Sequence, residues 1–61
     1  MSWTILVHPE SSCCWIERDP VKLERHEPLV VVHESGIEDY MDAFNRATKL
    51  CEDQKLEFSY S

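Results

Sequence analysis

The sequence predicts an α+β domain in which an antiparallel sheet of three to four strands carries one amphipathic helix on one face, in the order β-β-β-α-β. Three observations predict it. Apolar and polar residues alternate over Trp3–His8 and again over 56–60, the period of a half-buried strand. Between Ile37 and Cys51 apolar residues recur instead at helical spacing. The single glycine, Gly36, and the prolines Pro9, Pro20 and Pro28 fall between these segments rather than inside them.

The first strand sets Trp3, Ile5 and Val7 on one side and Thr4, Leu6 and His8 on the other. Pro9-Glu10-Ser11-Ser12 is a turn cluster that returns the chain into Cys13–Arg18, which makes the two segments a hairpin. Asp19-Pro20 ends the second strand, since proline has no N–H to give to a ladder. Val21–Glu27 is a charged excursion without a readable period. Leu29–His33 is a β-branched run, short enough for a buried third strand.

Ser35 and Glu38 stand three apart, the spacing of a capping box, with Ser35 at the N-cap and Glu38 at N3. Beyond them Ile37, Tyr40, Met41, Phe44, Ala47, Leu50 and Cys51 share one arc of a helix running to Asp53. Glu38, Asp39, Asp42, Asn45, Arg46, Lys49, Glu52 and Asp53 take the other. Gln54-Lys55 closes the helix, and Leu56, Phe58 and Tyr60 form a last strand. The first three strands are expected as a meander, and the last parallel to a neighbour after a right-handed crossover.

A chain of 61 residues makes one domain and buries only about 60% of the surface its unfolded state exposes. A deep catalytic pocket would remove contacts that such a core needs. Twelve acidic against six basic residues give a net charge of −6, which repels nucleic acid and anionic membranes and favours encounter with a basic protein. The apolar start, 1–7, lacks a basic flank and meets charge at Glu10, so it reads as neither leader nor membrane span. The cysteines number three, and Cys13 and Cys14 are adjacent. That arrangement predicts free thiols, with Cys51 packed as a small hydrophobe, and a cytoplasmic protein.

Chemistry-bearing constellations are sparse. His8, Cys13, Cys14, His26, His33 and Cys51 show no paired metal-ligand spacing, and nothing supplies an oxyanion hole for a Cys–His pair. No enzymatic role, metal or cofactor is expected. The carboxylates are more informative. Acids in the first helical turn, such as Asp42, complement the helix dipole, and Asp42 can pair with Arg46 one turn on. Glu52 and Asp53 lie at the opposite end, where negative charge is unfavourable for the helix itself. Trp3 and Trp15 could be cross-strand neighbours on the hairpin, and in so small a domain both are first expected in the core; if one is exposed it is the best binding anchor, and Trp15 is the candidate. With one helix on one face, apolar side chains are expected to remain on the uncovered face of the sheet, where a partner or a second copy of the chain would dock.

The element order, with its Trp3–Arg18 hairpin and Ile37–Asp53 helix, resembles the antitoxin domains of HicB type, which neutralise a small basic RNA-cleaving toxin. The glycine-rich second strand and DNA-binding tail of that family are missing here. By size, acidity and element order the chain also resembles the phage-encoded anti-CRISPR inhibitors, which block nucleic-acid access to effector complexes, often with acidic surfaces. The anti-CRISPR resemblance implies a protein of the host cytoplasm, a possible nucleic-acid mimic, that occludes a basic surface of a nucleic-acid-handling complex. Glu38, Asp39, Asp42, Glu52, Asp53 and Trp15 are the residues expected to carry the contact. The competing expectation is a homodimer or structural subunit whose acidity serves solubility alone.

Overall fold

The structure, a computed structural model, describes residues 1–21 and 29–59. Nearly all of the Val21–Glu27 excursion, with His26, Glu24 and Glu27, and Tyr60 of the last strand lie outside the described residues. The elements follow the expected order: β1 (Trp3–His8), β2 (Cys13–Arg18), β3 (Val31–Ile37), α1 (Tyr40–Gln54) and β4 (Glu57–Phe58).

The hairpin has the expected bounds. β1 and β2 pair antiparallel from Trp3 opposite Arg18 to His8 opposite Cys13. Pro9–Ser11 form a short 3-10 turn closed by Ser12 in the left-handed region, and His8 Nδ1 accepts from the Ser11 N–H at 3.2 Å. A proline at the start of that turn costs nothing, because its missing donor would have gone unused.

The sheet is mixed rather than purely antiparallel, and its first three strands do not form a meander. Strand order is β3-β1-β2-β4, with β3 antiparallel to β1 and β4 parallel to β2. The choice of neighbour follows from side chains. Val31 and Val32 of β3 lie opposite Val7 and Leu6 of β1, the most apolar strand, whereas β2 runs out into Glu17 and Arg18. The free edge of β2 is taken instead by β4, through Glu57 N–H to Ser12 O and Ser59 N–H to Cys14 O, both 2.8 Å. The helix therefore crosses the hairpin from one outer strand to the other.

β3 also extends further than its β-branched run suggests, and this removes the predicted capping box. Ile37 pairs with Trp3 and is buried, so Ser35 and Gly36 belong to the strand. Burial of an isoleucine outweighs one side-chain cap. The helix starts at Tyr40 with Asp39 at its N-cap, and the Asp39 carboxylate makes no capping hydrogen bond. At the other end Lys55 adopts the left-handed conformation, and the Lys55 and Leu56 amides both return to Cys51 O.

The helix packs through a narrower line than the predicted arc. Its buried residues are Ala43, Ala47 and Cys51, spaced by four, with Phe44 and Leu50 half-buried beside them. These meet Ile5 and Ile37, flanked by Trp3, Ile16 and Phe58. Tyr40 and Met41, placed in the buried arc by their spacing, are 43% and 57% exposed. Met41 lies about 120° around the helix from Ala47, while Tyr40 falls within the line but at the first helical residue, where it caps Trp3 at the end of the sheet.

The thiols are not free. Cys14 and Cys51 form a disulfide across a sequence separation of 37, with Cα atoms 6.8 Å apart, and Cys13 is the free cysteine. Adjacency kept Cys13 and Cys14 from each other, but alternation along β2 sends only Cys14 to the helix side. There it meets the last turn of α1.

The face away from the helix is less open than expected. Leu6 points to that side, opposite Trp15 and Val32, yet is fully buried, and Thr4 beside it is 2% exposed. The chain leaving β2 folds back there: Asp19 donates its N–H to Ser2 O at 3.0 Å, and its carboxylate accepts from the hydroxyls of Ser2 and Thr4. A third donor is the Gly36 amide. The Ser2 hydroxyl, followed by that of Thr4, holds the Asp19 carboxyl below its ordinary range, with partial burial opposing and Gly36 adding to the effect. Gly36 itself has φ +71°, where a Cβ would meet nothing within 4 Å. Gly36→Ala should therefore cost only the conformational penalty, about 1 kcal/mol in urea unfolding, and a loss several times larger would mean that the Asp19 contact had gone with it.

Candidate functional site

The acidic residues separate into groups once placed on this frame. Glu38 and Asp39 lie in the link between β3 and α1, both exposed, and neither makes an ion pair among the described residues. Asp42 is one turn in and is committed internally. Its carboxylate holds Arg46 at 3.0 Å, as the i, i+4 spacing predicts, and Arg46 also pairs with Glu34 of β3. Those two carboxylates favour the charged guanidinium, so the Arg46 pKa is raised.

Glu52 and Asp53 sit in the last turn of the helix, exposed. At 1.5 Å of rise per residue they stand about 20 Å from Asp39. Arg46 and Lys49 fall between the two ends on the same outer face, which reads acid, cation, acid rather than as an unbroken row of negative charge. Trp15 is on the other side of the sheet. It is the neighbour of Cys14 and opposite Leu6, so it points away from the helix, and its Nε1 donates to Glu17 at 2.7 Å. It is also not the cross-strand partner of Trp3, which faces Arg18 on the helix side. Trp15 and the helix carboxylates therefore cannot touch one flat partner surface together.

The structure supplies a different apolar companion for Glu38 and Asp39. Trp3 and Tyr40 pack edge to face with ring centroids 4.8 Å apart, Tyr40 leans on Phe44 at 6.4 Å, and Phe44 reaches Phe58 at 5.4 Å. The outer end of this run, Tyr40 with Met41 beside it, is open to solvent. A tyrosine rim, a flexible thioether and two unpaired carboxylates thus share the start of the helix. Periodicity alone placed Tyr40 and Met41 inside. The sequence signal that locates them is Ala43-x-x-x-Ala47-x-x-x-Cys51, the only line of small side chains on the helix and hence the line of closest approach.

Two other surfaces carry features. Leu29, Val31 and Val32, between 39% and 52% exposed, lie at the β3 edge, where Leu29 and Val31 join Pro9 and Glu10 around an open hollow of about 500 Å³. His33, Glu34, Arg46, Lys49 and Asp53 line a shallow charged groove between β3 and α1. Among the described residues no group of His, Cys, Asp and Glu is placed to hold a metal ion, and no helix is long and apolar enough to cross a membrane. No protein-family model matches the chain, and no curated protein or solved structure matches it.

Proposed function

We propose that this protein is a small inhibitor that binds a basic surface on a nucleic-acid-handling protein complex and occludes it, in the manner of the anti-CRISPR inhibitors that the sequence resembles. The observation that carries the reading is the start of the helix, where unpaired Glu38 and Asp39 adjoin exposed Tyr40 and Met41. Carboxylates there steer encounter with a positive surface, and the aromatic and thioether groups supply short-range affinity once water is displaced. A net charge of −6 supports a basic partner and weighs against direct contact with nucleic acid. Glu52 and Asp53 add to the long-range field rather than to the contact, and Trp15 contributes nothing on this face.

The test compares Glu38→Lys/Asp39→Lys with Glu52→Lys/Asp53→Lys in affinity capture from host lysate and in association kinetics with the captured protein. The first pair should slow association by about tenfold or more at low salt, with the gap closing at high salt, and the second pair should do less. Equal association of the Glu38→Lys/Asp39→Lys variant at low salt would sink the proposal.

A second reading is a homodimer joined at the β3 edge, favoured by exposed Leu29, Val31 and Val32. Light scattering on the purified chain decides it. A dimer that Val31→Lys converts to monomer supports this reading, and a concentration-independent monomer removes it.

A further inference from the structure

We propose that the Cys14–Cys51 disulfide is a redox switch that decides whether the helix is seated on the sheet, and with it whether the surface at the start of the helix is assembled. Only this last consequence rests on the binding function proposed above. Seating of the helix is otherwise weak. Its buried side chains are Ala43, Ala47 and Cys51, so two methyl groups and one covalent bond make up its buried contact line. Phe44 and Leu50 are only half-buried. Alanine removes little apolar surface from water, and the bond to β2 is the strongest single attachment the helix has.

The bond is also approachable from one side. Cys14 is fully buried under the helix, while Cys51 retains 7% exposure in the last turn, where local opening costs least. A thiolate of an external dithiol attacks Sγ of Cys51 and forms a new S–S bond, and Cys14 leaves as a thiolate that takes up a proton. The second thiol of the reductant then displaces Cys51. Two electrons enter the protein, the reductant departs as its own disulfide, and Cys14 and Cys51 end as thiols. Oxidising compartments preserve such a bond and the dithiols of a cytoplasm open it, so in a cytoplasm the reduced chain is the resting form and oxidation is the event that assembles the surface. Cys13, on the opposite face of β2, takes no part.

The experiment is hydrogen exchange on the purified chain, oxidised, then treated with reduced thioredoxin or dithiothreitol without denaturant, then reoxidised. Reduction should raise exchange rates of the Tyr40–Gln54 amides about a hundredfold or more, and reoxidation should restore them. Cys14→Ala/Cys51→Ala should match the reduced chain and ignore the dithiol, and Cys13→Ala should behave as wild type. The switch is overturned if the bond resists both dithiols under native conditions, or if the reduced chain keeps its helix protection. No partner enters this readout, so its failure and that of the binding proposal are told apart.

Discussion

Cys14→Ala/Cys51→Ala is expected to lose about 4 kcal/mol of stability relative to the oxidised protein. A cross-link enclosing a loop of this size removes that much chain entropy from the unfolded state. A domain this short has on the order of 3–9 kcal/mol in all. The midpoint of thermal unfolding should accordingly fall by about 15–30 °C, measured by circular dichroism with and without dithiothreitol. Cys13→Ala should move it by no more than about 0.5 kcal/mol equivalent, since that thiol is bonded to nothing. A double variant as stable as wild type would show that the helix seats on Ala43 and Ala47 without help.

The second large effect belongs to Asp19. Asp19→Ala withdraws the acceptor from Ser2, Thr4 and the Gly36 amide at once, and the Thr4 hydroxyl it abandons is 2% exposed. An enclosed donor without a partner costs on the order of 1–3 kcal/mol. Because the Asp19 carboxylate itself is partly open to solvent, a loss of about 2 kcal/mol at neutral pH is expected. The pH dependence has a fixed sign. The folded-state pKa of Asp19 lies below its ordinary 3.8, so its contribution is complete above that value and disappears as the pH falls through the lower, folded-state value. Urea midpoints for wild type and Asp19→Ala should thus differ most near neutrality and draw closer in strong acid, down to the part that a neutral carboxyl still supplies as an acceptor for Thr4. A constant difference down to the lowest pH would remove the charged carboxylate from the explanation.

The hairpin was readable residue by residue, because a proline-led turn and period-two alternation are local signals that nothing distant contradicts. The helix body was readable too. Its beginning was not: Ser35 and Glu38 make a good capping box, but whether Ile37 opens a helix or ends a strand depends on Trp3, which lies opposite it and far away in sequence. The same dependence on distant residues hid the disulfide, since nothing local says that Cys14 and the last helical turn will meet. Of the residues expected to bind, Glu38 and Asp39 keep a coherent setting, Asp42 is engaged by Arg46, and Trp15 looks the other way. Tyr40 and Met41 are exposed beside Glu38 and Asp39 because apolar spacing reports which residues share a side of a helix, not where the sheet beneath it stops.

The first strand of the chain lies between the second and the third, and Thr4, Ile5 and Leu6 in its middle are shielded from above and below. Synthesis delivers those residues early, yet their last lateral neighbour arrives only with Val31–Ile37, and the lid over them is locked only when Cys51 appears. A nascent chain therefore carries its greasiest stretch unprotected through most of its manufacture, and closure comes late and all together. Shortening the protein by its last dozen residues would remove Cys51 and β4 and leave a clipped helix with no bond to hold it on the sheet, a substrate for chaperones and proteases rather than a smaller working domain.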